Sequence, residues 1–88
     1  MTYFVYLIGN FKDTKLTTYV GYTNNLKKRL KLHNAGKGAK STRGYKWKII
    51  YFRKYNSKKE AMTEEFFLKK NRKRRKKIIF KYLSTNLL

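Results

Sequence analysis

The apolar positions of this 88-residue chain follow two different periods. Thr2 to Ile8 is rich in β-branched and aromatic residues and ends at Gly9-Asn10, which predicts a strand. Thr18 to Thr23 predicts a second strand, with Asn10 to Thr17 as the polar connection of an antiparallel hairpin. Alternation places Phe4, Tyr6 and Ile8 on one face of the first strand, and Tyr19, Gly21 and Thr23 on one face of the second. Glycine weakens a strand interior, so Gly21 marks a close approach of backbone or substrate. Lys46 to Tyr55 predicts a third strand, alternating around Trp47, Ile49 and Tyr51.

Elsewhere the period is helical. Asn24-Asn25 can cap a helix from Leu26 to His33, and Asn34-Ala35-Gly36 can stop it. Leu26, Arg29, Leu30 and His33 share one face, so Arg29 and His33 project from the side that the leucines tie to the core. A guanidinium there needs an anion or a place at the stripe's edge. Ser57 and Glu60 have the spacing of a capping box, which starts a second helix. On it Ala61, Met62, Phe66 and Leu68 form an apolar arc with Glu65 in the middle, whereas Glu60 and Glu64 fall elsewhere. An ionised carboxylate inside such an arc is costly unless a cation meets it. That cation is either one of the many lysines or a metal ion in a site that handles phosphate. Ile78, Ile79, Tyr82 and Leu83 predict a short third helix that closes the core, and Ser84 to Leu88 reads as a frayed tail. The expectation is one domain over 1–88, with its core at 3–83.

Charge narrows the partner. Twenty-four Lys and Arg against four acids give a net charge of +20, a self-repulsion that a polyanion relieves. Aromatics at 17% and clear periodicity argue for a folded chain. Without cysteine there is no disulfide or thiol chemistry, and with His33 the only histidine there is no zinc site of the His/Cys kind. No apolar run is long enough to span a membrane and no signal-peptide pattern opens the chain, so a cytoplasmic, nucleoid-associated protein is expected. Gly36 to Gly44 interleaves small residues with Lys37, Lys40, Ser41, Thr42 and Arg43, a composition suited to phosphate contact although it lacks P-loop spacing. From Lys69 to Lys77 eight of nine residues are basic, and Lys69, Lys70, Arg72, Lys73, Arg74 and Arg75 are candidate nucleic-acid contacts beside Lys37, Lys40, Thr42 and Arg43.

Taken in order, these segments resemble the GIY-YIG nuclease family over about Tyr3 to Leu83. Phe4-Val5-Tyr6 stands at the GIY motif and Tyr19-Val20-Gly21 at the YIG motif. Asn25 to Leu30 resembles the arginine helix, and Ala61-Met62-Thr63-Glu64-Glu65 resembles the segment that bears the metal glutamate. His33 to Gly44 is similar to the small single-domain bacterial branch, and in part to the structure-selective nuclease branch. Phe4 departs from the pattern by replacing the first glycine of the GIY motif. The resemblance implies an α+β fold, a small three-stranded antiparallel sheet flanked by about three helices, like the N-terminal domain of excision-repair nucleases. It also implies metal-dependent cleavage of DNA phosphodiesters. Tyr6 would be general base or water positioner, and Tyr19 would bond near the scissile phosphate. Arg29 would bind that phosphate, Glu65 would hold one Mg²⁺ or Mn²⁺, and His33 would support the site or carry a proton. A phenol titrates near pH ~10, so a Tyr6 base requires nearby cations that favour phenolate. Expected substrates are branched, nicked or duplex DNA, with RNA as a further candidate. Structure-selective or weakly sequence-selective cutting in DNA repair or processing follows, because the basic segments meet phosphates and not bases. The rival expectation is a basic nucleic-acid-binding module that keeps the scaffold without catalysis.

Overall fold

Three strands and three helices follow one another in the computed structural model, which describes residues 1–12 and 15–86. Strand β1 (Tyr3–Lys12) pairs antiparallel with both β2 (Lys15–Thr23) and β3 (Lys48–Tyr55), giving the sheet order β2-β1-β3. The helices are α1 (Leu26–Asn34), α2 (Lys58–Lys70) and α3 (Arg72–Asn86). The expected α+β architecture is therefore what the chain adopts.

The hairpin is longer than its polar sequence suggests. Asn10 to Lys12 and Lys15 to Thr17 are strand, paired as Asn10↔Thr17, Phe11↔Leu16 and Lys12↔Lys15. Backbone pairing holds these residues extended, and the Phe11–Leu16 pair adds apolar contact, with Leu16 packed on the core and the Phe11 ring stacked on Tyr82. Residues 13 and 14, also assigned to the connection, lie outside the described residues.

One face of the sheet buries Val5, Leu7 and Val20 against Ala61 and Leu68 of α2, with Ile78, Ile79 and Tyr82 of α3 packed alongside. The other face buries Tyr6, Ile8 and Trp47 against Tyr19, Ile49 and the α1 leucines Leu26 and Leu30. The β1–β3 register shifts between Leu7↔Tyr51 and Ile8↔Ile49, so Ile50 is the extra residue of a β-bulge. The bulge breaks the alternation expected around Ile49 and Tyr51, and Tyr51 joins Ile50 on the α2–α3 side. Trp47 lies just before β3 and not within it. Asn34 holds it there, accepting from the Trp47 N–H at 2.6 Å and donating to its carbonyl at 3.2 Å.

Both expected helix starts are capped. Asn25 Oδ1 accepts from Lys28 N–H at 3.1 Å, and Ser57 Oγ accepts from Glu60 N–H at 3.2 Å. Helix α3 starts earlier than expected, within the basic run, and it continues through Ser84 to Asn86, which were expected to fray. Lys and Arg are good helix formers, so a charged stretch without an apolar stripe still extends the helix. Leu87 and Leu88 lie outside the described residues. No helix among the described residues is long and apolar enough to cross a membrane.

Candidate active site

Side chains from both faces of the sheet meet at its β2 edge. A cleft of about 490 Å³ is lined by Tyr3, Tyr6, Tyr19, Gly21, Tyr22, Thr23, Asn24, Arg29, Lys58 and Glu65. Tyr6, Tyr19, Arg29 and Glu65, proposed from separate segments of sequence, are thus neighbours in space. Tyr6 reaches the cleft because Gly21 is its register partner and has no side chain. A Cβ on Gly21 would fall 2.4 Å from the Tyr6 hydroxyl, so the expected close approach is that of the phenol itself.

Behind Tyr6 lies a buried chain of hydrogen bonds. Its hydroxyl is 2.8 Å from Nε2 of His33, and Nδ1 of His33 is 2.9 Å from the Thr42 hydroxyl. Thr42 donates to the Ala39 carbonyl at 2.9 Å and accepts from the Ala39 N–H at 3.2 Å. Arg29 lines the same cleft, and its positive charge acts on the Tyr6 phenol. Thr42 gives its own proton to Ala39, so it accepts from His33 Nδ1–H, and Nε2 is left to accept the Tyr6 proton. Every member of the chain is satisfied in this one arrangement.

Burial pushes the Tyr6 phenol above its ordinary value, and this outweighs the opposing influence of the Arg29 guanidinium. The phenolate that a Tyr6 base would require is therefore not favoured: Tyr6 keeps its proton and donates it. Burial, with the Arg29 charge adding to it, holds His33 below the usual imidazole range, so its Nε2 lone pair is open at neutral pH.

The Gly36–Gly44 segment belongs to this scaffold. Gly38 lies against the His33 ring, where a Cβ would sit 2.4 Å from Nδ1. Thr42, expected to touch nucleic acid, is instead fully buried, with its hydroxyl on His33 and its carbonyl 3.0 Å from the Trp47 indole nitrogen. Lys37, Lys40 and Arg43 remain exposed around it. The basic run divides in the same way. Arg75 donates to the last carbonyls of α2, those of Leu68 and Lys69, and Arg74 donates to the Tyr51 hydroxyl at 3.3 Å. Lys70 lies over the Phe66 ring at 4.9 Å, while Arg72 and Lys73 are exposed.

Glu65 shares the inward side of α2 with Ala61 and Leu68, but at its edge. Met62 and Phe66, expected in the same arc, are about half exposed. The Glu65 carboxylate is 3.3 Å from Lys69 Nζ, and its side chain is 18% exposed against 49% for the lysine. This is the lysine pairing that the sequence left open, in a form that is weak and easily replaced. Arg29 Nε, in contrast, is buried without a hydrogen-bond partner, which suits an anion arriving in the cleft. Lys58 was missed in the sequence. It lies three residues before Ala61 and seven before Glu65, and that helical spacing is the signal that places it on the cleft.

Residues 2–78 match the family model described as the GIY-YIG catalytic domain, and the chain belongs to that family. A UPF0213 protein of Clostridium perfringens is 47% identical over 68 residues, covering 76% of this chain and 70% of its own. Another from Oceanobacillus iheyensis is 46% identical over 68 residues, covering 76% of each. A third, from Streptococcus pyogenes, is 47% identical over 66 residues, covering 73% of this chain and 71% of its own. No solved structure matches the chain. Membership in a nuclease-domain family supports an endonuclease-type function with nucleic acid as substrate.

Proposed function

We propose that this chain is a divalent-metal-dependent endonuclease that hydrolyses DNA phosphodiesters, with structure-selective or weakly sequence-selective action in DNA repair or processing. The observation that carries the reading is the convergence of Tyr6, Tyr19, Arg29 and Glu65 on one cleft. Arg29 would bind the scissile phosphate and stabilise its added negative charge in the transition state. Tyr19, whose ring is 6.5 Å from that of Tyr6, would bond beside that phosphate. A water in the cleft can pass its proton to the Tyr6 oxygen as the phenol's own proton moves to His33 Nε2. The proton then rests on the imidazole, and no free phenolate is required.

Among the described residues no group of three His, Cys, Asp or Glu could hold a metal. A lone carboxylate fits a hard cation that keeps its waters and completes its shell with substrate phosphate, as Mg²⁺ does. Glu65 would hold such a Mg²⁺ or Mn²⁺ after exchanging its Lys69 partner. When bound, the ion would supply Lewis-acid polarisation of the phosphate.

Nicked, branched and linear DNA with Mg²⁺ or Mn²⁺ tests the reading. Wild type is expected to cut, and Glu65→Gln and Arg29→Ala each to lose about 10²-fold or more. Equal cutting by Glu65→Gln would defeat it. The Glu65–Lys69 pair and the single carboxylate favour a second reading, a binding module without catalysis. That module would bind DNA without cutting. With about 6–10 phosphate contacts, affinity would fall ~10³–10⁵-fold between 50 and 200 mM salt.

A further inference from the structure

We propose that Phe4 and Phe52 form a stacking platform for an unpaired base, beside the cleft and continuous with it. This deepens the nuclease reading and rests on it for the path of the strand. Phe52 is the register partner of Tyr6, and Phe4 is the partner of Thr23 on one side and Lys54 on the other. Register partners share a face, so Phe4, Phe52 and Lys54 extend the surface that begins with Tyr6 and with Thr23 of the cleft wall. The α1 leucines cover Ile8, Ile49 and Tyr6 on this face, and neither phenylalanine joins the residues packed against either core. Phe52 stays 50% exposed.

The two rings are 6.1 Å apart and inclined by 66°. In such an edge-to-face pair one ring presents its edge to the other, which leaves aromatic surface free. Two adjoining aromatics next to a lysine, on a chain of net charge +20, match one occupant in both parts. That occupant is a nucleotide whose base stacks on the ring and whose phosphate meets the amine. A paired base keeps its faces inside the duplex, so only an unpaired one can reach the platform. Phe4 thereby acquires a use at the position where the family pattern has glycine. Selection of nicked or branched DNA would come from this surface, one residue pair away from the catalytic tyrosine.

The test uses the full chain carrying Glu65→Gln, so that DNA is bound and not cut. A forked DNA carries 2-aminopurine as its only unpaired nucleotide at the junction. Binding is expected to quench the 2-aminopurine. Phe52→Leu, which keeps apolar volume without a ring face, should remove the quench and weaken forked-DNA binding about tenfold more than duplex binding. Phe52→Tyr should restore both effects. Circular dichroism of each variant checks the fold. Equal quenching by Phe52→Leu, or binding by the parent without a quench, overturns the platform. Cleavage by the Glu65 protein is scored separately. A quench without cleavage upholds the platform and defeats the nuclease reading, whereas cleavage without a quench does the reverse.

Discussion

Thr42 shows how much a single buried hydroxyl decides. It holds the His33 tautomer whose bare Nε2 faces Tyr6, so in the proposed reaction it would act through another residue. Thr42→Val removes the acceptor for the Nδ1 proton while keeping the volume. The expected outcome is a mixed tautomer in the ¹⁵N spectrum of the His33 ring, and a turnover lower by about tenfold or more. Thr42→Ser should restore both, and a Thr42→Val protein with an unchanged ring spectrum would count against the assignment. Gly21 acts in the opposite way, by keeping atoms out. Gly21→Ala should push the phenol from its place, since its new Cβ would fall 2.4 Å from the hydroxyl. Neither effect is one of charge, although the chain's charge is its most obvious trait.

At the scale of elements, α2 matters most because it carries Glu65 and Lys58 at two levels of one face. Its start depends on Ser57, so Ser57→Ala should cost about 1 kcal/mol of stability. For a domain of this size the melting temperature would then fall by ~4–8 °C, measurable by thermal denaturation, while Ser57→Asp should keep most of it. That start was legible in the sequence, because a cap is a local device that two residues can announce. Face assignments on α1 were legible for the same reason: Leu26, Arg29, Leu30 and His33 are set by helical spacing alone. What escaped depended on distant partners. The bulge at Ile50 exists only relative to β1, so strict alternation misplaced Tyr51. The role of Thr42 exists only once His33 lies beneath it, and a loop of small and basic residues gives no sign of that ring. In the Lys69–Lys77 run, composition suggested nucleic-acid contact, yet Arg75 serves the end of α2.

For the molecule as a whole, charge and pH set the operating range. With four acidic residues, few carboxylates titrate on mild acidification, and His33 becomes the main pH-sensitive group in the core. Its folded-state pKa lies below the ordinary 6.5. Between those two values the unfolded chain binds more protons than the folded one, so stability rises with pH there. The contribution is complete above about pH 6.5 and is lost as pH falls through the lower folded value. Melting temperature should therefore drop between pH 7.5 and 5, and His33→Gln should flatten that slope. A wild-type curve already flat over this range would contradict the buried neutral imidazole.

The indole bond between Trp47 and the Thr42 carbonyl has an optical consequence. This is the chain's one tryptophan, 4% exposed, with Tyr45 beside it. Its emission comes from a dry environment fastened to the same turn that orients His33. The protein thus carries its own lamp behind Tyr6, and a shift in its colour would report loosening of that turn.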